Sequence, residues 1–218
     1  MIDVTEAGSV SVIRMDDGKA NAMSFDLMAR LTDALQQQAE RSGAVVLAGR
    51  PGLFCAGLDL KVVKSGDREL FGKLLEAGRD LYRVMLDLPC PLVAACTGHA
   101  MAGGALLLLC SDYRIGLAGE YRIGFHEVSI VVPMPAFGTR LAQLRLNRTR
   151  YLRSVVLAEV TGPAEAVDVG FLDEVAETDT TLMASAVAKA EALAQLPRDA
   201  FVTGRRTAYT VPRDLEGF

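Results

Sequence analysis

Histidine is scarce in this chain, two residues in 218, and the four cysteines, Cys55, Cys90, Cys96 and Cys110, form no CxxC pair. Few ligands are at hand for a metal, so no metal site is expected, and the cysteines are expected to be reduced and mostly buried. Basic excess is also lacking. With 23 lysines and arginines against 27 acidic residues the net charge is −4, which leaves no electrostatic footprint for nucleic acid or anionic lipid. Neither is expected as a partner. The first residues, MIDVTEAGSV, hold no basic segment leading into an apolar one, so they do not read as a secretory signal and the cytoplasm is the expected compartment. Internal repeats and low-complexity segments are absent too. Charge is missing from residues 92–110, LVAACTGHAMAGGALLLLC, a run of nearly membrane-spanning length. Thr97-Gly98-His99 and Gly103-Gly104 interrupt it, so a buried strand, a loop and a buried helix are expected there, and no membrane span.

Half of the residues are hydrophobic, enough for one sizeable core, with a helical region toward the C-terminal end. SVSVIRM (residues 9–15) alternates at period two and reads as a strand; GKANAM (residues 18–23) reads as a loop. Ser24 is a helix N-cap for residues 25–41, where Phe25, Met28, Leu31 and Leu35 form one apolar stripe. AVVLAG (residues 44–49) is a buried strand, and residues 68–88 a long helix that Pro89 and Pro91 end. PLVAACTG then returns as a buried strand. Strands alternating with helices in this way predict an α/β fold with a mostly parallel sheet, whose turns gather at the strands' C-terminal ends. After Asp112 come short apolar stretches and then helices over residues 136–144, 148–156, 163–169 and 181–196. The tail, residues 197–218, reads either as a short helix with a frayed end or as partly disordered.

Two junctions carry small residues where a strand meets a helix. FCAGLDL (residues 54–60) is the first and AMAGG (residues 100–104) the second. Backbone N–H groups at such places lack intrahelical partners and lie at the positive end of a helix dipole. Each junction alone reads equally as a tight turn or a close-packing device. Together, after consecutive buried strands, they point to an anion or oxyanion site.

The motifs GKANAMS, VVLAGRPGLFCAGLDL, CPLVAACTGHAMAGGALLLLCSDYRI, IGFHEVSIVVP and TGPAEAVDVGFLDEV, in this order, resemble those of the crotonase (enoyl-CoA hydratase/isomerase) superfamily. The resemblance runs from about Ile2 to about Leu196. It implies a crotonase-like spiral of ββα units over residues 1–135, a shortened C-terminal helical region over 136–196, a short tail, and assembly as trimers or dimers of trimers. It also implies an acyl-CoA substrate and no separate cofactor. The backbone N–H groups of Leu58 and Gly103 match the two donors that hold the thioester oxygen in that family, and one such donor is worth roughly 3 kcal/mol of transition-state stabilisation in a water-excluded site. Lys19 and Ala20 match the loop beside the adenosine and pantetheine, with Ala56 and Leu58 facing the same part of the ligand.

The scaffold does not choose the reaction; the acids and bases around the acyl chain do. Hydratases of this family carry two glutamates. The first aligns here with Leu106, which moves no proton, and the second with Glu127 in IGFHEV. Moving a double bond from C3=C4 to C2=C3 needs only one carboxylate, which takes a proton from C2 and returns it at C4. The chain looks most like the monofunctional Δ3,Δ2-enoyl-CoA isomerase branch, although it has His126 where that branch often has asparagine. A hydratase, a hydrolase using His126, and a non-catalytic acyl-CoA-binding scaffold are the alternatives. On an extended segment neighbouring side chains face opposite ways, so His126 is expected to be structural or to line the rim while Glu127 faces the substrate. His99 reads as a turn residue with a satisfied ring or as a pocket residue. Cys55 is no nucleophile on this reading, and Asp59 supports its turn by binding nearby N–H groups.

Overall fold

The computed structural model describes residues 1–209. It opens on a hairpin in which β1 (Ile2–Ala7) pairs antiparallel with β2 (Val10–Met15). No residue of β1 is fully buried, so this edge strand shows none of the apolar alternation that marks β2, and only β2 is expected from the sequence. Ser24 caps α1 (Phe25–Arg41), its hydroxyl accepting from the Leu27 N–H at 3.2 Å. Met28, Leu31 and Leu35 are buried as expected, together with Leu27 and Ala39. Phe25, in the first turn, stays 40% exposed.

Three times the chain then lays down a strand in each of two sheets before it turns helical. β3 (Ala44–Ala48) and β4 (Gly52–Cys55) precede the short α2 (Leu60–Val63) and the long α3 (Arg68–Asp87). β5 (Leu92–Cys96) and β6 (Gly98–Met101) precede α4 (Gly103–Cys110). β7 (Tyr113–Leu117) and β8 (Ile123–Gly124) precede a 3-10 turn (Val128–Ile130) and α5 (Ala136–Arg145). Thr97-Gly98-His99 is therefore no plain loop, since Gly98 and His99 begin β6.

The larger sheet runs β1-β2-β3-β5-β7-β10, with β10 at Glu174–Ala176, and is parallel from β2 onward. The smaller sheet runs β4-β6-β8-β9, with β9 at Val160–Thr161 antiparallel to β8. Every residue of β3 and β5 is buried. Val45 and Leu47 face the main core under α1, α3 and α4, whereas Ala44, Val46 and Ala48 join a second cluster with Leu182, Ala186 and Ala190 of α8 (Asp179–Leu193). Burial on both faces explains why these strands read as unbroken apolar runs. All eight residues of α4 are buried as well, so it has no polar face to show.

Between β8 and α8 the chain also forms α6 (Tyr151–Val155) and α7 (Pro163–Val169); α6 is shorter than expected, and α8 begins and ends earlier. The tail forms α9 (Arg198–Ala208), one of its two expected readings; residues 210–218 lie outside the described residues. The guanidinium of Arg205 donates to the carbonyls of Met85, Leu88 and Cys90, just where α3 ends, and its Nε lies 3.2 Å from Asp112. Carbonyls at a helix C-terminus have no partner within the helix, and a cation is a suitable one.

Candidate active site

The two small-residue junctions meet. After β4, the Ala56 N–H binds the Ala20 carbonyl at 3.1 Å, the Met23 N–H binds the Gly57 carbonyl at 2.8 Å, and the Asp59 N–H binds the Met23 carbonyl at 3.4 Å. This is a parallel bridge between Met23 and Leu58, which uses the groups on either side of Leu58 and turns the Leu58 N–H away from Met23. After β6, Ala102 takes φ 53° and ψ −120°, a conformation that side-chain-bearing residues adopt only under constraint. It launches α4 with Gly103 as the first helical residue, whose N–H has no intrahelical acceptor.

Contact between the junctions leaves no room for side chains. A Cβ on Gly57, which has φ +93°, would stand 2.8 Å from Ala102 Cβ and 3.2 Å from the Gly103 nitrogen, and one on Gly104 would stand 2.2 Å from the Cys55 carbonyl oxygen. Glycine is required at both positions. Tyr82 of α3 braces the second junction. Its hydroxyl donates to the Gly103 carbonyl at 3.2 Å, and its ring stacks on Phe137 with centroids 5.6 Å apart. The sequence shows Tyr82 only as one more residue on a helical stripe, so its link to Gly103 has no local signal.

Leu58, Ala102 and Gly103 line an apolar cleft together with Phe71, Leu75, Gly78 and Tyr82 of α3 and with Phe137. Leu106, one turn into α4 and 4% exposed, lines it too. Among the described residues of this lining the one carboxylate is Glu127, which is 8% exposed. Burial pushes the Glu127 carboxyl above the usual range, and the backbone N–H groups of Glu127 and His126 partly offset this; the His126 N–H donates to it at 2.9 Å.

His126 lines the same cleft, which corrects the expectation that the two side chains face apart. The segment is not extended here: Glu127 has φ −54° and ψ −47° and leads the 3-10 turn. Successive side chains on such a turn diverge by about 120°, not 180°. Burial, and then the nearby Arg122 charge, lower the His126 pKa, and its Nδ1 is buried without a hydrogen-bond partner among the described residues. Both favour the neutral imidazole.

His99 is not part of the cleft lining. Its Nδ1 accepts from the Arg122 N–H at 3.0 Å and its ring meets Tyr121 edge-on, so of the two readings the satisfied ring holds. Lys19 and Ala20 lie in an open groove with Asp17, Ser24 and Lys61. The groove shares Ala56, Leu58 and Leu60 with the cleft, so the two adjoin. Cys55 is fully buried with its thiol pushed up to about 12, and it stays protonated at neutral pH. All four cysteines are buried and free. Asp59 caps α2 by accepting from the Lys61 N–H at 2.9 Å.

A spiral of paired strands and helices, with two glycine turns meeting over an apolar cleft, defines a crotonase-fold protein. The enoyl-CoA hydratase/isomerase family model matches residues 5–209, and the chain belongs to that family. It is 26% identical to the mitochondrial enoyl-CoA delta isomerase 1 of Mus musculus over 183 residues, 82% of this chain and 63% of the mouse protein. It thus spans less than two thirds of that relative's length. The structure of the Mycobacterium tuberculosis enoyl-CoA isomerase superposes with a TM-score of 0.90 at 33% identity, covering 97% of this chain and 92% of the other. An enoyl-CoA hydratase from Mycobacterium ulcerans gives 0.91 at 32% identity with the same coverages. Relatives named for either reaction are thus equally near. Among the described residues no helix is long and apolar enough to cross a membrane.

Proposed function

We propose that the protein is an acyl-CoA enzyme, a Δ3,Δ2-enoyl-CoA isomerase, with Glu127 as its proton carrier. The observation that carries this reading is that Glu127 is the one carboxylate in the cleft lining among the described residues, while Leu106, which aligns with the first glutamate of the family's hydratases, lines the same cleft. The thioester oxygen lies between the N–H groups of Leu58 and Gly103. As charge builds on that oxygen the two donors stabilise the enolate, which makes the C2 proton acidic enough for a carboxylate to remove. Glu127 takes that proton and returns it at C4, so the double bond moves into conjugation and no water is consumed. A raised carboxyl pKa brings the base closer to the operating pH. The CoA moiety runs along the groove of Lys19 and Ala20, and the reaction needs no further cofactor. On the same reading the enzyme works in the cytoplasm as a homotrimer or a dimer of trimers; the exposed Leu152, Val156 and Leu157 support a self-association surface.

The test is spectrophotometric. Purified protein given 3-enoyl-CoA is expected to generate the 2-enoyl chromophore, and given crotonyl-CoA to leave it largely intact. His126 in the same cleft favours a second reading, a hydratase or hydrolase that uses the imidazole as its second group. Rapid loss of the crotonyl-CoA chromophore without isomerisation would decide for that reading, and binding of both thioesters with turnover of neither would decide for a non-catalytic scaffold.

A further inference from the structure

Among the described residues three glycines line the cleft, and their surroundings differ. A Cβ on Gly103 would meet Met23 Sδ at 2.7 Å and Tyr82 Oη at 2.8 Å, and one on Gly138 would meet Met134 Cε at 2.9 Å and Leu106 Cδ1 at 3.2 Å. Close packing accounts for both. Gly78 is another matter. It is buried inside α3, where glycine is the least favourable residue after proline. Yet a Cβ there would meet Leu58 Cδ2 and Met28 Sδ at 3.8 Å and Tyr82 Cε2 at 3.9 Å, all ordinary van der Waals contacts. Neither a tight approach of α1 nor a left-handed backbone demands glycine, and alanine would fit and favour the helix. What glycine leaves is space, in the wall between two cleft residues, Leu58 and Tyr82.

We infer that Gly78 is a specificity-determining residue, its missing side chain forming a notch through which a medium- or long-chain aliphatic acyl group passes on leaving the thioester. The inference rests on the acyl-CoA reading above, which sets the thioester against Leu58 and Gly103. Phe71, Leu75, Gly78 and Tyr82 recur at helical spacing along one face of α3, so the wall extends over about 16 Å. The polar atom it carries, the Tyr82 hydroxyl, is already engaged by the Gly103 carbonyl. A wall of this kind offers an acyl chain apolar contact and no hydrogen bond, which selects for unsubstituted length.

Calorimetric titration of wild type, Gly78→Ala and Gly78→Leu with butyryl-, octanoyl- and dodecanoyl-CoA tests this. Wild type is expected to bind the two longer thioesters more tightly than butyryl-CoA. In Gly78→Ala the preference for dodecanoyl over butyryl should fall about tenfold or more, in line with one methyl group in a tight apolar site, and Gly78→Leu should lose it further. The melting temperature of Gly78→Ala should meanwhile rise by about 2–4 °C, from the gain in helix propensity. An unchanged chain-length profile in Gly78→Ala, or a fall in its melting temperature, overturns the inference while leaving the acyl-CoA reading intact. A wild-type protein that binds none of the three thioesters overturns that reading, and the inference with it.

Discussion

Glu127 is a charged group in a setting that suits it better neutral. Because burial raises its carboxyl pKa in the folded protein, the stability linked to its protonated form is complete below the unfolded pKa and is lost as pH rises through the folded one. At neutral pH the ionised side chain therefore opposes folding. Glu127→Gln should melt at the same temperature as wild type or higher, while isomerase turnover falls by about 10²–10⁴-fold. The acid limb of the wild-type kcat profile should lie above the ordinary carboxylate range, since the base must be ionised to act. Calorimetry and a pH series with 3-enoyl-CoA check both. The family motifs single out Glu127, Leu58, Gly103 and Leu106 in the sequence, and all four line one cleft: Leu58 and Gly103 follow strands, Leu106 lies one turn into α4, and Glu127 leads a turn. The direction of His126 is not legible, since it depends on the backbone of Glu127 turning helical. His99 reads two ways until the Arg122 N–H is seen on its ring.

Among the elements, α3 does the most to shape the cleft, and α9 secures it. Arg205 binds three carbonyls at the end of α3 and lies against Asp112, whose carboxyl burial raises even with that cation beside it. Arg205→Ala would take the cation from the half-buried Asp112 carboxylate, which keeps the Leu92 N–H, and would leave the three carbonyls without their donor, so a loss of roughly 3 kcal/mol is expected. A lower urea midpoint with an unchanged slope would show it. α3 itself is legible from its apolar period and the prolines beyond it. β4 and β6 are not: at four residues each, bearing glycine at their starts, they look like the ends of β3 and β5. Their strand character comes from pairing with each other, a contact between segments far apart in the chain that no local pattern encodes. The link from Arg205 to α3 is equally non-local.

The whole molecule is a spiral in which each repeat contributes to both sheets. Alternating strands and helices convey the α/β class and the parallel larger sheet, while the division into two sheets follows from tertiary pairing. Assembly is a property of this scale. Light scattering of the purified protein is expected to give three or six times the chain mass of 23.3 kDa; a monomer mass at micromolar concentration would remove the proposed trimer. The two junction N–H groups belong to successive repeats, held together by the glycine contact between Gly57 and Ala102. Neither repeat can present the pair alone. On the proposed reading, occupancy of the site and docking of the repeats are therefore one linked equilibrium: a thioester at a hundred times its Kd would add about 2.7 kcal/mol to the stability of the native spiral, which would make the ligand a clamp on the fold.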